Sequence, residues 1–177
     1  TLLRQAGWLT AGLGKVFHAD ENTEAYTVPY ARDSAPLLRA VCQDKRAVAN
    51  RSCARTKAGN VDQAYCACDL KEHATWPDED IARIAVQRLK TFERMGAPQQ
   101  PFLLIAGFLR PHVPAHAPVR SLVAADAAKA QLFKRGVRRA SRWGGQARFY
   151  HGAVAFCVEQ MGRVLKHLHA SPMANTT

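Results

Sequence analysis

Negative charge is scarce in this chain. Fourteen Asp and Glu stand against 25 Lys and Arg over 177 residues, a formal net charge of +11. That imbalance favours polyanionic partners; it is an argument about association, not about fold. Long apolar runs are also absent. The longest, Phe102 to Leu109, is eight residues, whereas a bilayer crossing takes about 20, so nothing reads as a membrane span. Internal repeats are missing, and so are the common nucleotide signatures. Gly12-Leu13-Gly14-Lys15 has Leu9 and Val16 where a phosphate loop needs Gly and Ser or Thr. The dinucleotide fingerprint fails at Phe17, and no G-x-S-x-G nucleophile elbow occurs. Thr1 opens the chain with neither a charged nor an apolar leader, and the chain stops directly after an apparent helix. It is therefore expected to be a fragment, or one chain of a processed protein.

What is present is a globular composition. Hydrophobic residues make up 47% and charged residues 22%, which excludes disordered, collagen-like and coiled-coil classes. Leu2 to Leu13 reads as a helix end, a break at Gly7 and a short strand. Gly12 and Gly14 then permit a tight turn into Lys15-Val16-Phe17-His18. The clearest helix starts at Pro77-Asp78. Ile81, Ala85, Leu89 and Phe92 share one face, with Ile84 and Val86 at its margin. Asp78, Glu79 and Asp80 suit the positive end of its dipole, and Gly96-Ala97-Pro98 stops it. Phe102 to Leu109 follows, flanked by prolines, and reads as a strand buried on both faces. Helix then buried strand is the unit of a mostly parallel sheet, which gives an α/β class. Arg110-Pro111-His112-Val113-Pro114 sits just past that strand, where open α/β sheets place ligands. Val119 to Arg148 is Ala- and Arg-rich with the weakest pattern. Phe149 to His169 reads as a long closing helix with Phe149, Ala153, Phe156, Met161, Val164, Leu165 and Leu168 as its apolar positions.

Five cysteines, Cys42, Cys53, Cys66, Cys68 and Cys157, make an odd set. Four of them fall in or beside a polar segment, Asp44 to Cys68, that reads as a loop. Cys66-Ala67-Cys68 is one residue short of the paired spacing of zinc sites. A Cys53–Cys66 disulfide would close a short loop, worth about 3 kcal/mol in the chain-entropy picture. Asn50-Arg51-Ser52 and Asn175-Thr176-Thr177 are glycosylation sequons at Asn50 and Asn175. His112 and His116 have the spacing of a helical metal pair, but Pro111, Pro114 and Pro118 forbid a regular helix there. Lys134, Arg135, Arg138, Arg139, Arg142 and Arg148 cluster near Phe133 and Trp143. That cluster is either a solvated loop or an electrostatic site for a polyanion.

Three segments in order resemble the sulfatase family, closest to its iduronate-2-sulfatase branch. Gly7-Trp8-Leu9-Thr10 with Gly14-Lys15-Val16-Phe17-His18 is similar to the branch's "GY-x-T … GK-x-x-H" stretch. Pro101-Phe102-Leu103-Leu104 leading to Arg110-Pro111-His112-Val113-Pro114 is similar to "PFFLAVGYHKPHIP". Phe149-Tyr150 through Gly162-Arg163-Val164-Leu165 is similar to the helix ending in "GRLL", with Ala174-Asn175-Thr176 echoing the "ANST" beyond it. Cys53 and Cys66 have twelve residues between them, as do paired cysteines of that branch.

The resemblance implies an alkaline-phosphatase-like mostly parallel sheet flanked by helices, incomplete in this chain. Residues 1–177 would be an internal portion of one catalytic domain, with 119–148 as a variable basic insertion. It implies hydrolysis of sulfate esters on a sulfated sugar or glycosaminoglycan, through a formylglycine hydrate and a calcium ion. Lys15 would hold a sulfate or nucleophile oxygen, His18 would contact the formylglycine hydrate, and His112 would protonate or steady the leaving oxygen. Sulfuryl transfer asks for these types, cationic donors on developing oxyanion charge and an acid for the leaving group. The plainer readings are a surface lysine and two packed loop imidazoles. A lysosomal, secreted or periplasmic location follows from the cysteines and the resemblance.

The formylglycine motif C/S-x-P-x-R does not occur; at Ser34-Ala35-Pro36-Leu37-Leu38 the arginine falls one place late, at Arg39. The acidic calcium ligands of the family are missing too, so metal and nucleophile are expected from outside this chain, and the chain alone is expected to be inactive. Two other readings stand beside this one: a polyanion-binding module, with nucleic acid disfavoured as its partner, and a phosphoester hydrolase of the same superfamily.

Overall fold

The structure is a computed structural model that describes residues 2–16, 26–27, 53–55, 66–69, 75–97, 99–112, 115–135, 145–175 and 177. His18, Asn50, Cys42, the Cys53 side chain and the basic residues Arg138, Arg139 and Arg142 lie outside the described part. The chain forms two compact units.

The first unit takes in residues 1–34, 77–109 and 160–177. Helix α1 (Leu2–Gln5) ends at Gly7, whose φ of 83° turns the chain into β1 (Leu9–Gly14). Helix α2 (Pro77–Arg94) leads to β4 (Phe102–Gly107). β1 and β4 pair in parallel, from Leu9 opposite Phe102 to Gly14 opposite Gly107.

Helix α2 forms as its sequence dictates. Pro77 presets the first helical φ, and three acids fill the first turn. The end is a Schellman closure: Gly96 sits at φ 111°, Ala97 N–H reaches Phe92 O at 3.0 Å and Gly96 N–H reaches Glu93 O at 3.3 Å. Ala97 and Phe92 belong to one apolar cluster, the contact that accompanies this cap. The buried face carries Ile81, Ala82, Ala85, Leu89 and Phe92. Leu89 and Phe92 pack on Leu9, Ala11 and Met173, and Ile81 and Ala85 on Leu13. Each such Leu or Phe contributes about 1.5–3 kcal/mol by leaving water. Phe92 and Phe102 meet at 5.3 Å between ring centroids.

β1 is buried at every position. Beside it lie Tyr26 and Thr27. Thr27 N–H donates to Thr10 O at 2.8 Å, and Thr10 N–H to Thr27 Oγ1 at 3.2 Å. The Tyr26 ring lies against Gly12, so close that a Cβ there would fall 2.3 Å from Tyr26 Cζ.

β4 departs from expectation. Phe102, Leu104 and Ala106 pack towards α2, but no residue of the strand is fully buried and Ile105 is 37% exposed. Burial on both faces needs a layer on each. Among the described residues only the α2 side of β4 has one.

The second unit takes in residues 35–76 and 110–159. The segment expected to be a loop instead holds β2 (Cys53–Arg55) and β3 (Cys66–Cys68), paired antiparallel, with β5 (His116–Ala117) parallel to β3. Within the stretch of weakest pattern, Val119 to Arg148, residues Val119–Lys134 form helix α3. Its first amide, Val119 N–H, donates to Asp69 Oδ1 at 3.3 Å. Leu122 packs with Ala67 and Phe149, and Gly152 lets it close: a Cβ there would lie 2.8 Å from Leu122 Cδ2. Helix α4 (Gln146–His169) begins in this unit and continues in the first. Its Phe149, Ala153 and Phe156 are buried as expected. Met161 and Leu165 are not; they are 45% and 49% exposed beside Val158 at 60%. Phe156 meets Trp76 edge-on at 6.0 Å and lies under the Arg120 guanidinium at 5.7 Å.

Cys66 and Cys68 are both disulfide-bonded and buried. Their sulfurs lie 3.7 Å apart, a van der Waals contact between separate bridges and not a bond or a thiol hydrogen bond. The expected Cys53–Cys66 pairing involves a sulfur outside the described part. The backbone register sets Cys68 opposite Cys53, with Cys66 opposite Arg55. Cys157 is buried and is not part of a disulfide.

Candidate functional site

Two strand ends define the region of interest. β1 and β4 are parallel and in register, so both finish at the same edge. Gly14, at φ 71°, turns the chain out of β1 into Lys15. Lys15 N–H donates to Gly107 O at 2.7 Å, which ties the outlet of β1 to that of β4. The approach is too close for side chains. A Cβ on Gly14 would meet Gly107 O at 2.3 Å, and one on Gly107 would meet Lys15 O at 2.2 Å. Glycine at both positions is therefore what lets Lys15 stand at the strand end. Lys15 is half-buried, and no carboxylate pairs with its ammonium among the described residues.

From Gly107 the chain runs through Phe108 to Leu109, the last residue of the first unit. Leu109 N–H donates to Asp78 Oδ1 at 2.7 Å, and Asp78 is 1% exposed. This residue was legible in the sequence only as a helix-dipole partner. Its bond to a backbone amide 31 positions away leaves no sequence signal.

The chain then enters the second unit. Arg110 is buried, His112 is exposed, and His116 is buried in β5 opposite Cys66. Among the sequence-derived site residues, then, Lys15 stands at the shared strand edge and His112 three residues beyond the first unit's last residue. His18 lies outside the described part. Asn175 is exposed in the 3₁₀ turn Pro172–Asn175. The basic cluster is only partly described. Lys134 and Arg135 are exposed, while Arg148 forms a bidentate pair with Asp126, Nη2 to Oδ2 at 2.6 Å and Nε to Oδ1 at 2.9 Å. The Arg148 hydrogen bonds hold the Asp126 carboxyl below its ordinary range. Burial pushes the His151 imidazole down.

Among the described residues no three His, Cys, Asp or Glu stand together in a way that could hold a metal ion. None of the described helices is long and apolar enough to cross a membrane.

A parallel strand pair packed on a helix is an α/β arrangement, and open sheets of that class place ligands outside the carboxyl ends of their strands. No family model and no curated protein matches the sequence. Among solved structures, two of Ps i-CgsB, one in complex with k-i-k-neocarrahexaose, are similar to this chain. Both give a TM-score of 0.53, at 14% identity for the complex and 15% for the other, over 96% of this chain and 35% of theirs. The chain thus spans about a third of the length of the solved chains it matches. At such identity the likeness bears on fold alone.

Proposed function

We propose that this chain is part of a sulfatase with an alkaline-phosphatase-like fold, of the iduronate-2-sulfatase-like branch, which hydrolyses sulfate esters of a sulfated sugar or glycosaminoglycan. The observation that carries this reading is the parallel register of β1 and β4. It sends Lys15 and the segment leading to His112 out of one strand edge. The fold match to a protein solved with neocarrahexaose points to the same substrate class.

In this reading Lys15 neutralises a sulfate oxygen. His112, exposed and on an outgoing segment, delivers a proton to the leaving sugar oxygen. His18 would contact the formylglycine hydrate, so its role depends on that group, which, with calcium, would be supplied by residues beyond this chain. The parent protein works in a lysosomal, secreted or periplasmic compartment, where the bridges at Cys66 and Cys68 persist.

The net charge of +11 favours one rival, a module that binds polyanions without sulfate chemistry. Titration calorimetry separates them. The chain should bind a sulfated oligosaccharide, lose that affinity on Lys15→Ala, and ignore the desulfated sugar. Equal affinity for any polyanion, DNA included, and indifference to Lys15→Ala would sink the sulfatase reading. With an aryl sulfate and calcium the chain alone should give no turnover.

A further inference from the structure

Helix α4 carries a polar side chain where its packing asks for an apolar one. Within the first unit, Leu168 packs with Leu9, Ala11, Leu89 and Phe92, towards the start of β1. Val164 packs in that cluster and also with Leu13, Ile81 and Ala85, towards the end of β1. From Leu168 to Val164 the helix therefore advances towards the carboxyl edge of the strands. Gln160, also of the first unit, comes four residues before Val164. It lies on the same side of the helix and about 6 Å further in the same direction.

Gln160 is fully enclosed, with 0% of its surface exposed. Both ends of its amide, Nε2 and Oε1, are buried and make no hydrogen bond to any described residue. Such a group has two N–H donors and an oxygen acceptor to satisfy, and burying it with none of them engaged is costly. Buried polar atoms of folded proteins find a partner in nearly every case, either protein or ordered water. A leucine of similar size would fill the place without that cost.

A second enclosed polar group stands at the same end of the unit. Helix α2 runs against the sheet in the same sense as α4, with Phe92 near the start of β1 and Ile81 near its end. Asp78 comes one turn before Ile81 and is 1% exposed. Its Oδ1 accepts from Leu109 N–H at 2.7 Å.

The chemistry of this end selects its ligand. An anion would face the Asp78 carboxylate. A cation would need a group of ligands, and among the described residues no three His, Cys, Asp or Glu stand together to hold one. Water is small enough to be enclosed, and it accepts and donates at once, as internal waters bound to buried polar groups do.

We propose that Gln160 anchors an internal hydration site. Its amide holds an ordered water enclosed at the end of the apolar cluster that Asp78 shares. Both residues belong to the first unit, and the site is independent of the sulfatase reading.

The test uses the isotopically labelled 177-residue chain. Magnetisation transfer from water to the side-chain amide protons of Gln160 is read as paired NOE and ROE cross-peaks. A held water gives the two opposite signs; surface hydration and proton exchange give them the same sign. Gln160 should show opposite signs, and Gln87, exposed on α2, should not. Gln160→Leu supplies a second reading by thermal unfolding. If the amide holds water, the substitution strips that water of its anchor and lowers the melting temperature by about 2–4 °C or more. If the amide is dry, the substitution removes an unsatisfied group and raises it.

A Gln160 amide with cross-peaks to protein protons alone would overturn the proposal, and so would a Gln160→Leu chain that melts higher than wild type. Should Gln160→Leu fail to fold, the wild-type cross-peaks decide by themselves: opposite signs uphold the site, and any other pattern refutes it.

Discussion

Replacing Gly107 by alanine adds one methyl group at the tightest point of the strand edge. The new carbon would lie 2.2 Å from Lys15 O, 2.3 Å from Lys15 C and 2.7 Å from Val16 N. All three are backbone atoms, so no side-chain rotation relieves the clash. Either the Lys15 turn lifts off or β1 and β4 separate at their ends, and the 2.7 Å bond from Lys15 N–H to Gly107 O weakens with them. Overpacking of this kind costs about 1–3 kcal/mol, and contact with backbone alone argues for the upper end, about 3 kcal/mol. For a chain of this size that is a fall in melting temperature of about 6–12 °C. Gly162→Ala is the matched control. It sits on the exposed side of α4 with nothing within 4 Å of the added carbon. There the same substitution should stabilise by about 0.5–1 kcal/mol, raising the melting temperature by about 1–4 °C. Thermal unfolding followed by circular dichroism reads both. A Gly107→Ala chain melting within about 2 °C of wild type, or a Gly162→Ala chain that falls as far as it does, would refute the reasoning from close approach.

Arg148→Ala should cost up to about 1 kcal/mol at neutral pH, the range of a surface ion pair, since the two side chains are 41% and 45% exposed. Asp126 has its carboxyl held low in the folded state, so this stability is present above the ordinary value of 3.8 and is lost as pH falls through the folded-state value. Urea unfolding of both chains should converge at low pH; a penalty that persists there would assign the effect to packing of the Arg148 stem. Thiol titration without reductant should find a single reactive cysteine, Cys157, and only after denaturation. Two or more titrating thiols would contradict separate bridges at Cys66 and Cys68.

Helix α2 was legible because every local signal agrees: Pro77, three acids, a clean apolar face and Gly96. β4 was legible as a strand, but its burial was not, because burial depends on what packs against the Ile105 side and not on the strand's own residues. Helix α3 was obscure because alanine fits a core or a surface equally well. β2 and β3 were missed because three residues apiece are too few to display an alternation. On α4, Met161 and Leu165 keep the helical spacing yet face outward, since periodicity finds an apolar face without saying whether anything covers it. At the candidate site, Lys15 was placed by glycines that the turn demands. Asp78 was not, because its partner is a backbone amide, which carries no residue-type signature.

The contact between Tyr26 and Gly12 constrains how this sequence can change over time. The ring occupies the space in which any other residue at position 12 would place its first side-chain carbon. Any larger residue at position 12 must therefore displace the end of the Tyr26 ring, all three of the nearest atoms belonging to that side chain. A smaller side chain at position 26 would open room for a larger one at 12, so a change at one site alters what the other tolerates, with volume lost at one made up at the other.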